Sequence, residues 1–326
     1  MKALVFEAPR RAVVTDVDQP DIGPDEVLVR SHAVGICHSD FELLAGHYII
    51  PVNYPIIPGH EWSGEVVETG SAVTGLSAGD RVVGECVVGP GGRDHFGFSI
   101  SGANAEYFRA RAEWLHVLPE ELSYTAGALV EPFSVAYNAT HSAGGLDPSD
   151  HVAVIGGGPI GLLCVAAAAA HNATVTLIEP QQSRRAKALD LGTRDALDPT
   201  ADDFADAVAE TTGGRGFDVV LEAAGAPAAM ASALEVAAHS ARIVFIGIDV
   251  GSSAPAKLGL IQSKALRIRG IIGSARLWPK TIRFLASGVV DPSTIVTAQF
   301  PLAAAIEALD AAQDTARNVK VHIQTG

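Results

Sequence analysis

The stretch YPIIPGHEWSGEVVETG, residues 54–70, places two titratable side chains at the mouth of an apolar run. His60 and Glu61 come directly before a sequence that has the pattern of a buried β-strand. Such groups are costly to bury unless something pairs with them. Two more ionisable residues lie in or beside apolar segments. They are Cys37 in GICHSD, in a turn after a strand, and Glu131 in the apolar run ALVEPFSVAYNA.

These side chains are suitable ligands for Zn²⁺. Catalytic zinc takes three protein ligands and keeps one position open. Cys37, His60 and Glu131 form a ligand set with Glu61 beside them. One Cys, one His and one Glu would supply two negative charges that neutralise the ion. Each residue alone has an ordinary alternative: a core cysteine, a hydrogen-bonded histidine, an acid at a helix start. Together they favour a metal site, because otherwise several buried charges would be unpaired.

A glycine motif lies further along, in VAVIGGGPIGLLCVAAAAA, residues 152–170. Gly156, Gly158 and Gly161 form G-x-G-x-x-G around Pro159 and Ile160. The motif follows an apolar strand and opens a helical run, which is the context that a dinucleotide-binding turn requires. A structural glycine-rich turn is the alternative. The pattern favours a pyrophosphate bound at the helix N-terminus.

An acid follows the next strand, TVTLIE, at Glu179. A carboxylate at this distance from the glycines accepts hydrogen bonds from the ribose hydroxyls of NAD and repels a 2′-phosphate. Arg184 and Arg185 come soon after and could instead favour NADP, or simply begin a solvated helix. We expect NAD.

The strand pattern changes along the chain. Residues 1–136 contain short Val-rich strands separated by Gly, Pro and Asp, as in a β-barrel or sandwich. From about 150 to 275, four apolar strands (HVAVIG, TVTLIE, FDVVLEAAG, ARIVFIG) alternate with helical runs, which indicates a parallel sheet. PKTIRFLASG then predicts a helix that Gly288 stops, and NVKVHIQ predicts a final strand.

Composition excludes several classes of protein. The 326 residues suit two domains, and 48% hydrophobic content indicates a globular chain. A net charge of −14 argues against nucleic acid as a partner. Three scattered cysteines favour a reducing compartment, so we expect a cytoplasmic protein. The uncharged stretch 152–170 is long enough for a membrane span, but its glycines and proline argue against one.

The chain resembles the medium-chain zinc-dependent alcohol and polyol dehydrogenases. Nearly the whole chain follows the family's order of motifs: GICHSD, PIIPGHEWSGEVVETG, GDRVVGE, AEYF, ALVEPFSVAYNA, VIGGGPIG, DVVLEAAG and FLASGVVD. The resemblance implies an α/β protein with a GroES-like β-barrel catalytic domain over 1–136. A Rossmann domain, a doubly wound parallel sheet, would span 137–276, and 277–326 would return to the first domain.

The resemblance also implies roles for the candidate metal ligands. Cys37 and His60 match the family's first two catalytic zinc ligands. Glu131 matches the third ligand of the polyol-dehydrogenase branch, where other branches carry Cys. Glu61 matches a residue next to the metal that can exchange onto it.

Further matches concern the substrate's proton. Ser39 matches the hydroxyl that relays it, and Asp40 matches the carboxylate that orients the zinc-binding histidine. The family often has a His five residues after the first zinc cysteine, to pass the proton to solvent. Here that position is Glu42, which leaves the exit path open. His47 lines the substrate cleft or has a structural role.

A second departure concerns the metal count. The family often carries four closely spaced cysteines after GDRV, which hold a structural zinc. Here the region 85–108 has a single cysteine, Cys86. A makeshift site from Cys86, His95, Asp94 and Glu85 is the alternative. We expect one catalytic zinc per chain.

The expected reaction is hydride transfer between NAD(H) and a secondary alcohol or ketone. The branch with a Glu ligand favours polyols, sugars and cyclitols, and GHYIIPVNYPIIPGHEWSG is weakly similar to cyclitol and aminocyclitol dehydrogenases. Family position makes Phe41, His47, Arg276 and Trp278 pocket candidates. We expect a small-molecule substrate and a homodimer or homotetramer.

Two other functions fit the same fold. Zinc-free quinone or enoyl reductases share it but usually lack the Cys–His–Glu set. A binding protein that lost turnover would also retain it. The presence of Cys37, Ser39, His60 and Glu131 argues against both.

Overall fold

In a computed structural model, residues 1–47 and 52–325 are described. The strands are β1 Lys2–Ala8, β2 Arg11–Asp16, β3 Glu26–Gly35, β4 Glu61–Thr69, β5 Arg81–Gly84, β6 Val87–Val88, β7 Asp94–His95, β8 Tyr107–Arg111, β9 Leu115–Val117, β10 His151–Ile155, β11 Thr174–Ile178, β12 Asp195–Leu197, β13 Phe217–Glu222, β14 Ala237–Phe245, β15 Arg267–Gly270, β16 Val296–Pro301 and β17 Lys320–Gln324. The helices are α1 His38–Ala45, α2 Tyr124–Ala128, α3 Val130–Ser142, α4 Pro159–Ala170, α5 Gln182–Asp190, α6 Phe204–Thr212, α7 Pro227–Val236, α8 Leu260–Ser263, α9 Trp278–Ala286 and α10 Ala305–Gln313.

The chain divides into two compact units. Unit 1 comprises Met1–Glu131 and Trp278–Gly326, and unit 2 comprises Pro132–Leu277. The domain boundaries expected from the sequence lie between residues 136 and 137 and between residues 276 and 277. Unit 1 therefore takes the N-terminal and the C-terminal parts of the chain.

Unit 1 is built on a seven-stranded sheet with the order β16-β17-β3-β4-β5-β9, in which β8 also pairs with β3. Strand β3 is the hub, because β4, β8 and β17 all pair with it antiparallel. Its residues are buried on both faces over most of its length. The strand ends at Gly35, so whatever follows is positioned by the centre of the sheet.

Unit 2 contains a six-stranded parallel sheet with the order β12-β11-β10-β13-β14-β15. From β10 the chain winds outward to β12, then returns to the other side of β10 and winds outward again. This confirms the doubly wound sheet. The carboxyl ends of β10 and β13 form the point of reversal, where such sheets bind ligands. Val152, Ala153 and Val154 of β10 are fully buried, as a central parallel strand requires.

The uncharged stretch 152–170 is divided between a strand, a tight turn and the 12-residue helix α4. The helix is buried on most sides within unit 2, which explains its lack of charge. In the part of the chain that the structure describes, no helix is long and apolar enough to cross a membrane.

Two strands of unit 2 were missed in the sequence. Strand β12 has three residues, and β15 is a fully exposed edge strand of sequence RIRG. Neither has the apolar run that identifies a buried strand. The stretch after β14 also differs from the expected helical run, since residues 248–259 are exposed and only the four-residue α8 follows.

Two leucines test the packing of unit 2. Leu163 in α4 is 0% exposed, and Leu189 in α5 is 53% exposed. We expect Leu163→Ala to lower the free energy of unfolding by about 2–5 kcal/mol through lost burial and a cavity. Leu189→Ala, the same change in an exposed helix position, should stay within about 0.5 kcal/mol. Equal losses in chemical denaturation would contradict this assignment of the core.

Candidate metal and cofactor site

Cys37 is placed by the end of β3 and the start of α1. It is the N-cap of α1, with φ −111° and ψ 159°. Its backbone N–H donates to Oδ2 of Asp40 at 2.9 Å, and the Asp40 N–H donates to the Cys37 carbonyl at 3.1 Å. The spacing Cys-x-x-Asp thus fixes the thiol at a helix N-terminus, where the helix dipole favours negative charge.

His60 and Glu61 reach the same place from the neighbouring strand. Glu61 begins β4 and lies opposite Gly35 in the register with β3. Both side chains are buried. The ligand atoms of Cys37, His60 and Glu61 lie within 4.8 Å of one another. Among residues 1–47 and 52–325, no other set of three His, Cys, Asp or Glu side chains comes so close together.

This group fits a zinc ion in chemistry and size. Zinc binds thiolate, imidazole and carboxylate at about 2.0–2.3 Å, so ligand atoms around a tetrahedral ion lie about 3.3–3.8 Å apart. A contraction of roughly 1 Å from the present separations would reach that geometry. Three ligands also leave one position open, as catalytic zinc sites do.

Asp40 faces the imidazole of His60. Its Oδ1 lies 3.6 Å from Nδ1 of His60, which is longer than a hydrogen bond. Burial alone would lower the pKa of His60, but the Asp40 carboxylate and the Cys37 sulfur raise it well above its ordinary value. With Nδ1 turned to Asp40, Nε2 is the nitrogen left for a metal.

Glu131 lies in the first turn of α3, half-buried. Burial raises its pKa to about 7, although the positive charges of His60 and Lys320 oppose the shift. Those charges act on Glu131 together with Glu61 and Asp40, so it belongs to the same electrostatic environment. It is not part of the close group of three. Its role as a ligand stays a prediction.

The proton-relay candidates occupy α1. Ser39 is half-buried in the first turn of the helix, two residues after Cys37. Glu42 is partly exposed, and its Oε1 lies 3.6 Å from Nε2 of His38. His47 is exposed at the end of the described segment.

The other pocket candidates are dispersed. Phe41 packs against the apolar core of unit 1. Trp278 is buried, and its ring stacks on His116 with centroids 5.7 Å apart. Arg276 is exposed. Residues 48–51 of the cyclitol-like stretch lie outside the described residues.

The shortened region after β5 forms a small hairpin of β6 and β7. Of the residues that could make a second metal site, Glu85 is paired with His116 at 2.9 Å. Burial raises the pKa of Cys86 to about 12.

The glycine motif forms a tight turn between β10 and α4. Gly156 has φ +97°, and a Cβ there would lie only 2.9 Å from the Cβ and the backbone nitrogen of Ala224. Gly158 is the N-cap of α4, and Pro159 takes the first helical position, where its missing N–H is not needed. A Cβ on Gly161 would overlap the Gly156 carbonyl oxygen, so only glycine allows this closeness. The turn leaves the α4 N-terminus facing the edge where the sheet reverses.

Glu179 is anchored to this turn. Its Oε2 accepts the Gly157 N–H at 2.6 Å, and its Oε1 accepts the Gln181 N–H at 2.8 Å. Each oxygen retains a further lone pair that can accept a ribose hydroxyl. The guanidinium of Arg185 binds neighbouring protein groups. Its Nη1 donates to the Glu179 and Pro180 carbonyls, both at 2.7 Å, and to Asp198 at 3.0 Å.

One residue of the metal site was missed in the sequence. Lys320, the first residue of β17, is buried and forms an ion pair with Glu61. The signal was a lysine at the start of an apolar strand that was expected to be buried.

Comparison with known proteins places the chain in a family. The models for "Alcohol dehydrogenase GroES-like domain" and "Zinc-binding dehydrogenase" match residues 23–120 and 159–287. A sorbitol dehydrogenase of Bacillus subtilis (strain 168) is 34% identical over 96% of this chain and 93% of its own length. A scyllo-inosose 3-dehydrogenase of Thermotoga maritima is 33% identical over 85% of this chain and 80% of its own.

A solved structure agrees over the whole chain. A zinc-binding dehydrogenase from Sinorhizobium meliloti 1021, bound to NADP, superposes with a TM-score of 0.93 at 28% identity and covers 99% of this chain and 98% of its own. This chain belongs to the zinc-type medium-chain alcohol and polyol dehydrogenases, and the GroES-like and Rossmann domains predicted for it are confirmed. It is an oxidoreductase that acts on alcohols.

Two glycines of the cofactor turn should behave differently on substitution. Gly161→Ala forces a backbone shift, so we expect the unfolding midpoint of the cofactor-free protein to fall, at about 2–4 °C per kcal/mol. Gly158→Ala meets open space at φ −68° and should leave that midpoint unchanged. It should weaken dinucleotide binding about tenfold or more, by about 1.4 kcal/mol per tenfold, since the pyrophosphate approaches this position. Unchanged binding by calorimetry would contradict the site.

Proposed function

We propose that this protein is a zinc- and NAD-dependent dehydrogenase of secondary alcohols, acting on a polyol, sugar or (amino)cyclitol. The observation that carries the proposal is the buried group of Cys37, His60 and Glu61, whose ligand atoms lie within 4.8 Å in a member of a zinc-type family. When bound there, zinc supplies a Lewis acid that lowers the pKa of an alcohol hydroxyl.

The protein's own side chains prepare this chemistry. Cys37, His60 and a carboxylate hold the ion, with Glu61 favoured by its closeness and Glu131 as the alternative ligand. Asp40 holds the imidazole in orientation through Nδ1. Ser39, two residues from Cys37 at the start of α1, is the hydroxyl that accepts the substrate's proton.

The coenzyme is assigned to NAD on the contacts of Glu179. Its carboxylate is held at the glycine turn by two backbone N–H groups, in position to accept ribose hydroxyls and to repel a 2′-phosphate. NAD supplies the hydride acceptor, or NADH the donor. A relative of the same fold binds NADP, so the fold alone does not decide the coenzyme and this assignment depends on the one carboxylate.

The substrate class rests on the relatives. The named relatives act on sorbitol and on scyllo-inosose, a polyol and a cyclitol derivative. Both present several hydroxyls on a small polar molecule. A panel of polyols, inositols and aminocyclitols, with NADH formation recorded, tests this class directly, and turnover confined to simple aliphatic alcohols would contradict it.

Removing the thiolate tests the metal site. We expect Cys37→Ser to lose most of its zinc and most of its activity, because a hydroxyl is a poor replacement for a thiolate ligand. The fold should survive, since β3 and α1 do not depend on the metal. Metal analysis of purified protein should find close to one zinc per wild-type chain.

Cys86→Ser is the matched control, as a second half-buried cysteine of unit 1. It should keep both zinc and activity. Loss of zinc in Cys86→Ser, or about two tightly bound zinc ions per wild-type chain, would show that residues 85–95 form a metal site. Full turnover by zinc-free Cys37→Ser would contradict the proposed chemistry.

Replacing Glu179 tests the coenzyme. Glu179→Ala removes the ribose acceptor and the charge that repels a 2′-phosphate, so NAD binding should weaken and the ratio of kcat/KM for NAD over NADP should fall about tenfold or more. Steady-state kinetics with both coenzymes measures the ratio.

Arg185→Ala provides the control, because that guanidinium binds Glu179 and Pro180 carbonyls and Asp198. It should lower stability and leave the coenzyme ratio unchanged. A wild-type protein that prefers NADP would overturn the role assigned to Glu179 and point to Arg184.

A further inference from the structure

A buried ion pair lies directly behind the proposed metal ligands. Lys320 is 2% exposed and Glu61 is 1% exposed. The ammonium Nζ pairs with Oε2 of Glu61 and donates to the Ile36 carbonyl at 3.0 Å. Removing two charges from water costs several kcal/mol per ion, and an apolar pair of similar volume is often as stable. The pair is therefore weak evidence for stability, and another role should be sought.

The sheet leaves room for this pair by omitting a side chain. Glu61 of β4 and His322 of β17 both lie opposite Gly35 in the register of the sheet. A Cβ on Gly35 would collide with Oε2 of Glu61 and would lie 3.2 Å from Cε of Lys320. Gly35 does not have a positive φ, so its backbone conformation does not demand glycine. Glycine is needed at this position because the ion pair occupies the space that a side chain would take.

The charges of the site explain what Lys320 can do. A zinc ion is neutralised by the Cys37 thiolate and one carboxylate, as in other catalytic sites with three ligands. The site carries further carboxylates, however, and zinc alone does not balance all of them. Among residues 1–47 and 52–325, no other ion pair involves Glu61. Burial lowers the pKa of the adjacent His322 to about 3, so that ring adds no positive charge beside Lys320.

We propose that Lys320 is a positioning residue that holds Glu61 through Oε2 and limits its hold on the metal. This inference rests on the proposed zinc site. The ammonium competes with zinc for the same carboxylate and leaves Glu61 one oxygen for the ion. Glu61 is thereby a weak, monodentate ligand, and the fourth position of the metal stays available to substrate.

Zinc affinity distinguishes this role from a structural one. In Lys320→Met, metal-free protein contains a buried Glu61 without a partner, and zinc becomes its only countercharge. We expect the zinc dissociation constant, from competition with a chelator, to fall about tenfold or more, because a positive charge beside the ion is removed. The metal-free variant should unfold at a lower temperature than wild type, and zinc should restore most of the difference. The d–d bands of the Co²⁺-substituted variant should shift as Glu61 binds more strongly.

Two variants serve as controls. Lys320→Arg keeps the charge and should bind zinc as wild type does. Lys264→Met removes a lysine whose Nζ donates to three carbonyls in unit 2, and it should leave zinc affinity unchanged. If Lys320→Met does not fold, Lys320→Gln keeps a donor for Ile36 without the charge and carries the same prediction.

The outcomes are separable. Zinc binding by Lys320→Met and Lys320→Gln that is equal to or weaker than that of wild type, with metal-free and zinc-loaded forms destabilised alike, would show a purely structural lysine and overturn the inference. A wild-type protein that binds no zinc would overturn the proposed metal site itself. If wild type binds zinc and Lys320→Met or Lys320→Gln binds it more tightly, the result supports both the metal site and the role of Lys320.

Discussion

Ionisable side chains that are shielded from water must balance one another's charge, and this constraint governs the end of unit 1 where β3, β4 and β17 meet. Asp40, His60, Glu61 and Lys320 are all buried there, beside Cys37. Lys320 balances one carboxylate, and Asp40 balances the imidazole. The Cys37 sulfur and the Glu131 carboxylate lie in the same surroundings, which is the physical reason to propose a metal there.

The backbone supports this arrangement through the central strand. Because β3 pairs with both β4 and β17, Glu61 and Lys320 reach one place from opposite sides of it, and Gly35 leaves the gap between them. Cys37 follows immediately, fixed as the N-cap of α1 by Asp40. In unit 2 the glycine turn has a similar role. Gly161 allows close packing of the backbone there, and Glu179 holds the turn that is proposed to bind the dinucleotide.

Local sequence patterns predicted much of the fold and of the cofactor turn. The glycine turn and the apolar strands β10, β11, β13 and β14 are each defined by residues close together in sequence. Strands β12 and β15 were missed because they are short or exposed and lack an apolar pattern. Lys320 was missed for a different reason: its partner lies far away in sequence, and only the pairing of β17 with β3 brings them together. The closeness of Glu61, rather than Glu131, to Cys37 and His60 likewise depends on the register of β4 on β3.

The coordination of the bound metal is the most direct test of the central claim, and X-ray absorption at the zinc edge of the purified wild-type protein measures it. We expect a single sulfur at about 2.3 Å and nitrogen or oxygen ligands at about 2.0–2.2 Å. That result would correspond to Cys37 with His60 and a carboxylate. A zinc surrounded by several sulfurs, or by none, would contradict the site built from Cys37, His60 and Glu61.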